Sequence, residues 1–139
     1  MECRIHKLVA DVAVVAEGQV LMVRYRDTKR YDGQRGWFLP DDHLRHLEPP
    51  DEAAGRIVRE QARIGPPAPR LEFVESFGNG AWHLAFHYRA DLDAIPRTTP
   101  GSNVKKLAWF PLTGPPPAEE TAHGGWALEV LTRMGLRPA

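Results

Sequence analysis

Apolar positions recur along the chain with two different periods, and each change of period marks a change of element. Leu8 to Val15 and Gln19 to Arg26 are rich in β-branched and apolar residues, with Glu17-Gly18 between them as a turn signal. That pattern predicts a β-hairpin. In its second strand Met22, Arg24 and Arg26 share one face while Leu21, Val23 and Tyr25 share the other, because strand side chains alternate. After Pro49-Pro50 the period lengthens. Ala54, Ile57, Val58, Gln61 and Ile64 recur at three- and four-residue intervals, which predicts a helix over Glu52 to Ile64 with one face on a core. Asp51 and Glu52 occupy its first turn, where the helix dipole favours acids, and Gly65-Pro66-Pro67 supplies its stop. Period two returns in Leu71 to Phe77 and Trp82 to Ala90, joined by the hairpin signal Gly78-Asn79-Gly80. In the second of these Trp82, Leu84, Phe86 and Tyr88 form an apolar face and His83, Ala85, His87 and Arg89 the opposite, half-exposed one. Asp91 to Val104, with Pro96 and Pro100, reads as an irregular crossing, and Lys105 to Leu112 as a strand. Trp126, Val130, Leu131 and Met134 write a final helix that ends near Gly135.

Length and charge narrow the class. The 139 residues suit one domain, 1–139, with a real core. A formal net charge of zero gives no global pull toward nucleic acid or membrane, so an anion site must be a local cluster. Cys3 is the only cysteine, which excludes an intramolecular disulfide framework. The apolar run from Leu8 to Ala16 is broken by Asp11 and ended by Glu17, too short and interrupted to span a bilayer. A cytoplasmic location is the default expectation. His83 and His87 stand four apart on a strand, about 13 Å at the usual rise, and cannot share one metal ion.

The candidate chemistry lies in one stretch, LPDDHLRHLEPPDEAAGRIVREQ, from Leu39 to Gln61. It resembles the box of the Nudix hydrolases, a glycine, five residues, a glutamate, seven residues, then R-E-U-x-E-E with U apolar. Without a gap, Asp42 falls at the glycine, Glu48 at the first glutamate, Arg56 at the arginine, Val58 at U and Glu60 at the first glutamate of the final pair. Three positions depart: a glycine pair has become Asp41-Asp42, the glutamate after the arginine is Ile57, and the last glutamate is Gln61. The Trp109-Phe110-Pro111-Leu112 run also looks like the family's late strand, with Lys105 and Lys106 where relatives often carry an acid.

The resemblance implies an α/β Nudix fold, a mixed β-sheet sandwiched between helices (α/β/α). It also implies helix carboxylates that hold Mg²⁺ or Mn²⁺ and activate water for attack on a phosphoanhydride. In this chain the implied catalytic residues are Glu60 and Gln61, and the implied metal ligands Glu60, Asp42 and Glu48, with Glu48 also suited to brace Arg56. Ile57 can neither hold a metal nor accept a proton. The ladder Glu52, Arg56, Glu60, four apart, gives Glu60 a purely structural alternative. Guanidinium groups of Arg24, Arg26, Arg35 and Arg56 are the candidate phosphate binders.

Two functions follow as expectations. One is a protein with a degenerate box that binds a nucleotide or nucleoside-diphosphate-type ligand with weak or absent hydrolysis and needs no metal. The other is an active Mg²⁺-dependent pyrophosphohydrolase with ligands relocated to Asp41 and Asp42. The expected partner is a nucleotide-type small molecule, with no membrane and with nucleic acid disfavoured; a homodimer stays open.

Overall fold

Val9 to Ala16 are buried almost without interruption, and that continuity fixes where the strand must lie. A strand covered on both faces belongs at the middle of a sheet. In the computed structural model, which describes residues 6–65, 68–78 and 81–138, this strand is β1, His6–Ala16. The other elements are β2 (Gln19–Tyr25), β3 (Asp41–His43), α1 (Pro50–Ala62), β4 (Arg70–Phe77), β5 (Trp82–Leu92), β6 (Val104–Pro111) and α2 (Trp126–Arg133). They form a mixed six-stranded sheet in the order β4-β5-β1-β2-β6, with β3 also paired to β1. β1 and β5 run parallel and the remaining strand pairs antiparallel.

Helices cover both faces, as the mixed α/β/α expectation required. Val12, Val14, Leu21 and Tyr88 pack against Ala54, Val58 and Ala62 of α1 on one side. Ala13, Val20 and Met22 pack against Ala127, Val130 and Leu131 of α2 on the other. Among the described residues no helix is long and apolar enough to cross a membrane.

The opening hairpin differs from its expected form. β1 and β2 pair only next to their turn, at Val15 with Val20 and Ala16 with Gln19. Beyond that they part, and the segment from Trp37 to His43 fills the gap. Phe38 bridges to Val23, the Val12 N–H donates to the Pro40 carbonyl at 3.0 Å, and β3 pairs with β1 from Val9 to Asp11. Burial explains the insertion, since Trp37, Phe38 and Leu39 are each no more than 6% exposed. Their transfer out of water holds the segment in the sheet, and it delivers Asp41 and Asp42 to the site.

Helix α1 keeps the packed face that its period predicts, with Ala54, Ile57, Val58 and Ala62 fully buried. It stops at Arg63, which adopts a left-handed conformation (φ 57°) and donates its N–H to the Arg59 carbonyl. Pro66 and Pro67 of the expected stop, like Asn79 and Gly80 of the expected β4–β5 turn, lie outside the described residues. The crossing before β6 seals the helix end: Thr99 N–H donates to the Ala62 carbonyl at 3.1 Å and Gly101 N–H to the Gln61 carbonyl at 2.9 Å. Contact there is so close that a Cβ at Gly101 would lie 1.6 Å from the Glu60 carbonyl oxygen. Gly101→Ala should therefore push the crossing off the helix and destabilise the fold by about 1–3 kcal/mol, the usual range for overpacking. Urea unfolding would show it as a lower midpoint; an unchanged midpoint would count against the seal.

Candidate functional site

One guanidinium gathers the acids of the box. Arg56 projects from α1 with its side chain only 9% exposed. Its Nε donates to Glu48 Oε2 at 2.7 Å and its Nη2 to Glu48 Oε1 at 2.9 Å, a paired contact. Nη1 donates to Asp42 Oδ2 at 3.0 Å and Glu60 Oε1 at 3.1 Å, and Nη2 also reaches the His43 carbonyl. Two further arginines complete the cluster: Arg30 meets the other Asp42 oxygen at 2.9 Å, and Arg45 meets both Glu60 oxygens at 2.8 and 3.0 Å. Hydrogen bonds from Arg56 hold the Glu48 carboxyl below its ordinary pKa, and the same contact pushes Arg56 up, so both stay charged.

The departures from the box pattern have their own partners. Ile57 is fully buried with Ala10 and Ala53, against Leu44 and Phe86. Gln61, 5% exposed, donates from Nε2 to the Asp41 carbonyl at 2.8 Å and accepts from the Tyr25 hydroxyl at 2.8 Å. The Asp41 N–H in turn donates to the Tyr25 oxygen at 3.0 Å. Both polar ends of the amide are thus used, one to tie α1 to β3 and the other to tie it to Tyr25 at the end of β2.

Over the opposite face of the sheet lies a cleft of about 310 Å³. Phe77 and His83, stacked at 5.0 Å, stand on one side, and Trp126 meets Phe77 edge-on at 5.8 Å. Lys7 and Arg30 stand at the rim, already paired with Asp32 and Asp42. Burial works against ionisation of Asp32, but hydrogen bonds from Lys7 and His123 outweigh it and lower its pKa.

Beneath the cleft sits a buried polar chain that the alternation of β5 does not reveal. His87 is fully buried rather than half-exposed, with Nδ1 2.7 Å from Asp11 Oδ1 and Nε2 2.7 Å from Glu75 Oε1. Trp126 Nε1 donates to the same Glu75 oxygen at 2.9 Å. Burial alone would lower the His87 pKa, yet the Asp11 and Glu75 carboxylates on its two nitrogens raise it. Asp11 is the signal that could have located this chain, because an acid inside an apolar run needs a buried partner. The parallel register places His87 directly opposite it.

Asp41 is the remaining buried acid, 8% exposed and facing the cleft. Its hydrogen bonds among the described residues all run through its backbone. Burial first, then the charges of Asp11 and Asp42, push its pKa well above the ordinary carboxyl value.

Of the residues singled out from the sequence, Asp42, Glu48, Arg56 and Glu60 come together, and Gln61 lies beside them turned toward Asp41. Arg24, Arg26 and Arg35 do not join them. Strand alternation turns Arg24 away from Tyr25, so its guanidinium lies over Trp37 at 4.8 Å, while Arg26 and Arg35 are exposed and neither lines the cleft. A divalent cation does not fit this arrangement. The carboxylate oxygens it would need already face guanidinium groups, and no group of three acid, histidine or cysteine side chains among the described residues is placed to hold a metal.

The sheet flanked by two helices, with a strand-loop-helix at its centre, defines an α/β/α domain of the kind the box pattern implies. A family model for the NUDIX domain matches residues 6–129, and the chain belongs to that family. No curated protein sequence matches the chain. Among solved structures it is similar to a MutT NUDIX hydrolase from Burkholderia pseudomallei, at 22% identity and TM-score 0.73 over 94% of this chain and 98% of that one. It is also similar to the NUDIX domain of Shewanella oneidensis NrtR, solved with ADP ribose (17% identity, TM-score 0.68, 78% and 75% covered). A third is a bifunctional NMN adenylyltransferase/ADP ribose pyrophosphatase from Francisella tularensis, solved with AMP and a Mn ion. There the identity is 16% and the TM-score 0.71, over 94% of this chain but 42% of that one.

Two outcomes test the electrostatics. Arg56→Met should destabilise the fold by about 1–3 kcal/mol, the cost of leaving partly buried carboxylates without their hydrogen-bonding cation, read as a lower urea midpoint. Asp41→Asn should act in the opposite sense. Because the folded pKa of Asp41 is raised, its proton favours the fold below the unfolded value of about 4. That advantage is lost as pH climbs toward the folded value. The variant should therefore melt above wild type at neutral pH, and the gap should close as the pH is lowered below about 4.

Proposed function

We propose that the chain binds a nucleotide or nucleoside-diphosphate-type ligand in the cleft over Glu75, Phe77 and Trp126, with weak or absent hydrolysis. The observation that carries this reading is the guanidinium cluster. Arg56, Arg45 and Arg30 contact the carboxylates of Asp42, Glu48 and Glu60, where an activating metal would need open oxygens. Ile57 and Gln61 add to it, since one is core and the other commits its amide to Tyr25 and Asp41. Support for the ligand class comes from the similar NrtR domain, solved with ADP ribose, and from the Francisella enzyme, solved with AMP. The cleft volume is at the lower end of the usual small-molecule range, about 300–1,000 Å³. Lys7 and Arg30 are the cations placed to meet a phosphate at its rim.

A second reading rests on one observation. Asp41 has a carboxyl without a partner among the described residues, next in sequence to Asp42, and metal ligands relocated to this pair would give a Mg²⁺-dependent pyrophosphohydrolase.

Both readings meet the same experiment. Calorimetric titration with AMP and ADP-ribose should give saturable binding, and incubation with Mg²⁺ or Mn²⁺ should give no multiple-turnover release of phosphate or AMP. Metal-dependent turnover by the wild type would establish the second reading. A companion variant, Ile57→Glu, Gln61→Glu, Asp41→Gly and Asp42→Gly, restores the family pattern. It should be several kcal/mol less stable, because one new carboxylate would enter the apolar site now filled by Ile57. The other would face the backbone carbonyl of position 41, to which the Gln61 amide now donates. Part of that loss should return on adding Mg²⁺.

A further inference from the structure

Two contacts fix the proton count of the buried chain beneath the cleft. His87 Nδ1 lies 2.7 Å from Asp11 Oδ1 and Nε2 lies 2.7 Å from Glu75 Oε1, and the ring is fully buried. Each contact sets a nitrogen against a carboxylate oxygen, so each needs a bridging hydrogen. A neutral imidazole carries one hydrogen and satisfies one side only. Bridging both makes the ring an imidazolium between two carboxylates. Those carboxylates raise the His87 pKa although burial acts to lower it.

The groups that face this ring come from every neighbouring element. β1 contributes Asp11, with Asp41 opposite it on β3. β4 contributes Glu75, and its Phe73 lies against the ring at 4.4 Å between centroids. α2 contributes Trp126, which meets the ring edge-on at 5.5 Å, and Arg133, which reaches Glu75 Oε2 at 3.3 Å, with Glu129 on the cleft lining. β5 itself carries His83 on that lining and Arg89, paired with Asp91.

The two carboxylates differ in what they can do when a proton leaves. The Asp11 side chain is 4% exposed and cannot reach water, whereas that of Glu75 is 22% exposed and has the Arg133 side chain, 54% exposed, beside it. The one hydrogen of a neutral ring therefore stays on Nδ1, facing the acid that cannot be hydrated. Nε2 then presents a lone pair to Glu75, and Glu75 is the group with room to leave. Its Oε1 also accepts from Trp126 Nε1 at 2.9 Å, so its departure strips the indole of its acceptor. Movement stops there, because Val130 and Leu131 hold the rest of α2 in the core.

We propose that His87 is the positioning residue of the cleft wall: with hydrogen on both ring nitrogens it holds Glu75, and through it Trp126, and loss of one proton releases both. The inference does not depend on which ligand fills the cleft, since the protein's own groups set the wall. With the folded pKa raised, the clamp's contribution to stability is complete below about 6.5, the unperturbed imidazole value, and is lost as pH rises through the folded value.

NMR of the nitrogen-labelled full chain tests it, between about pH 5 and pH 10, a span that brackets imidazole titration. At the acid end both ring nitrogens of His87 should carry hydrogen. One should lose it in a single transition with a midpoint above about 6.5, and the Trp126 indole N–H resonance should shift with that same midpoint. Glu75→Gln separates positioning from packing, because its amide donates to a neutral ring nitrogen and its oxygen still accepts from the indole. In that variant the Trp126 shift should disappear. Melting curves report whether it is folded, and the wild-type titration decides alone if it is not. A His87 ring with one hydrogen at the acid end overturns the proposal. So does the absence of any transition by the alkaline end, a Trp126 resonance that does not follow His87, or a shift that survives Glu75→Gln.

Discussion

A guanidinium buried among carboxylates is stable only while its partners stay in place, and Arg56 imposes that condition on β3, the loop after it and α1 together. Its side chain is 9% exposed, and those of Glu48 and Asp42 are 12% and 14% exposed. Ions so removed from water are costly unless geometry and hydrogen bonding are nearly complete. Arg56 uses Nε, Nη1 and Nη2 together, on carboxylates from β3, the loop after it and its own helix, and on the His43 carbonyl. Helix α1 therefore cannot slide along the sheet without stranding charge. The neutral latch of Tyr25, Gln61 and Asp41 sets the same register from inside the core.

The helices and most strands were legible because each is written as a short-range period. Ala54, Ile57 and Val58 announce one buried helix face and the structure keeps it, whereas Ile64, expected on the same face, is buried two residues past the helix end at Ala62. The split hairpin was not legible. A turn signal at Glu17-Gly18 states that two strands meet there, but not how far they stay together. What separates them is the burial of Trp37, Phe38 and Leu39, a long-range choice made by the core. The burial of His87 escapes the sequence for a related reason. Alternation says which side of a strand a residue faces, and neighbours such as His83 and Arg89 suggest only a half-exposed side. The α2 layer, with Trp126 over Glu75, closes that side. Asp11 and His87 stand 76 residues apart, so only the parallel β1–β5 register joins them.

In the box itself, the sequence identifies Asp42, Glu48, Arg56 and Glu60 as a group, while their chemistry is also decided by Arg30 outside the box and by Arg45 at one of its unspecified positions. The motif specifies neither arginine, yet they occupy oxygens of Asp42 and Glu60. Arg45–Glu60 is the weaker contact, since both side chains are largely exposed (65% and 41%) and solvent screens such pairs. Arg56 with Glu48 and Asp42 is the stronger, being largely enclosed and multiply bonded. Ile57 fits the same electrostatic pattern. A helix whose acids are balanced by arginines has no use for another carboxylate facing the core, and a hydrocarbon there adds burial against Ala10 and Ala53.

The Asp41-Asp42 pair acquires its meaning from strand alternation. β3 is three residues long and paired to β1, so adjacent side chains leave it on opposite faces of the sheet. Asp42 lies opposite Ala10, whose side chain packs on α1, and there it meets Arg56. Asp41 lies opposite Asp11, whose side chain meets His87 beneath the cleft. One dipeptide thus presents a carboxyl to the ion-pair cluster and another to the cavity. Glycine at either position would leave its face without that group. The two faces are also mechanically one: β3 is tied to β1 by its ladder and to α1 by the Gln61 amide. A displacement of the Asp41 backbone in the cleft must carry Asp42 with it and loosen its hold on Arg56 and Arg30. Cleft and cluster thus share one short strand as a common wall.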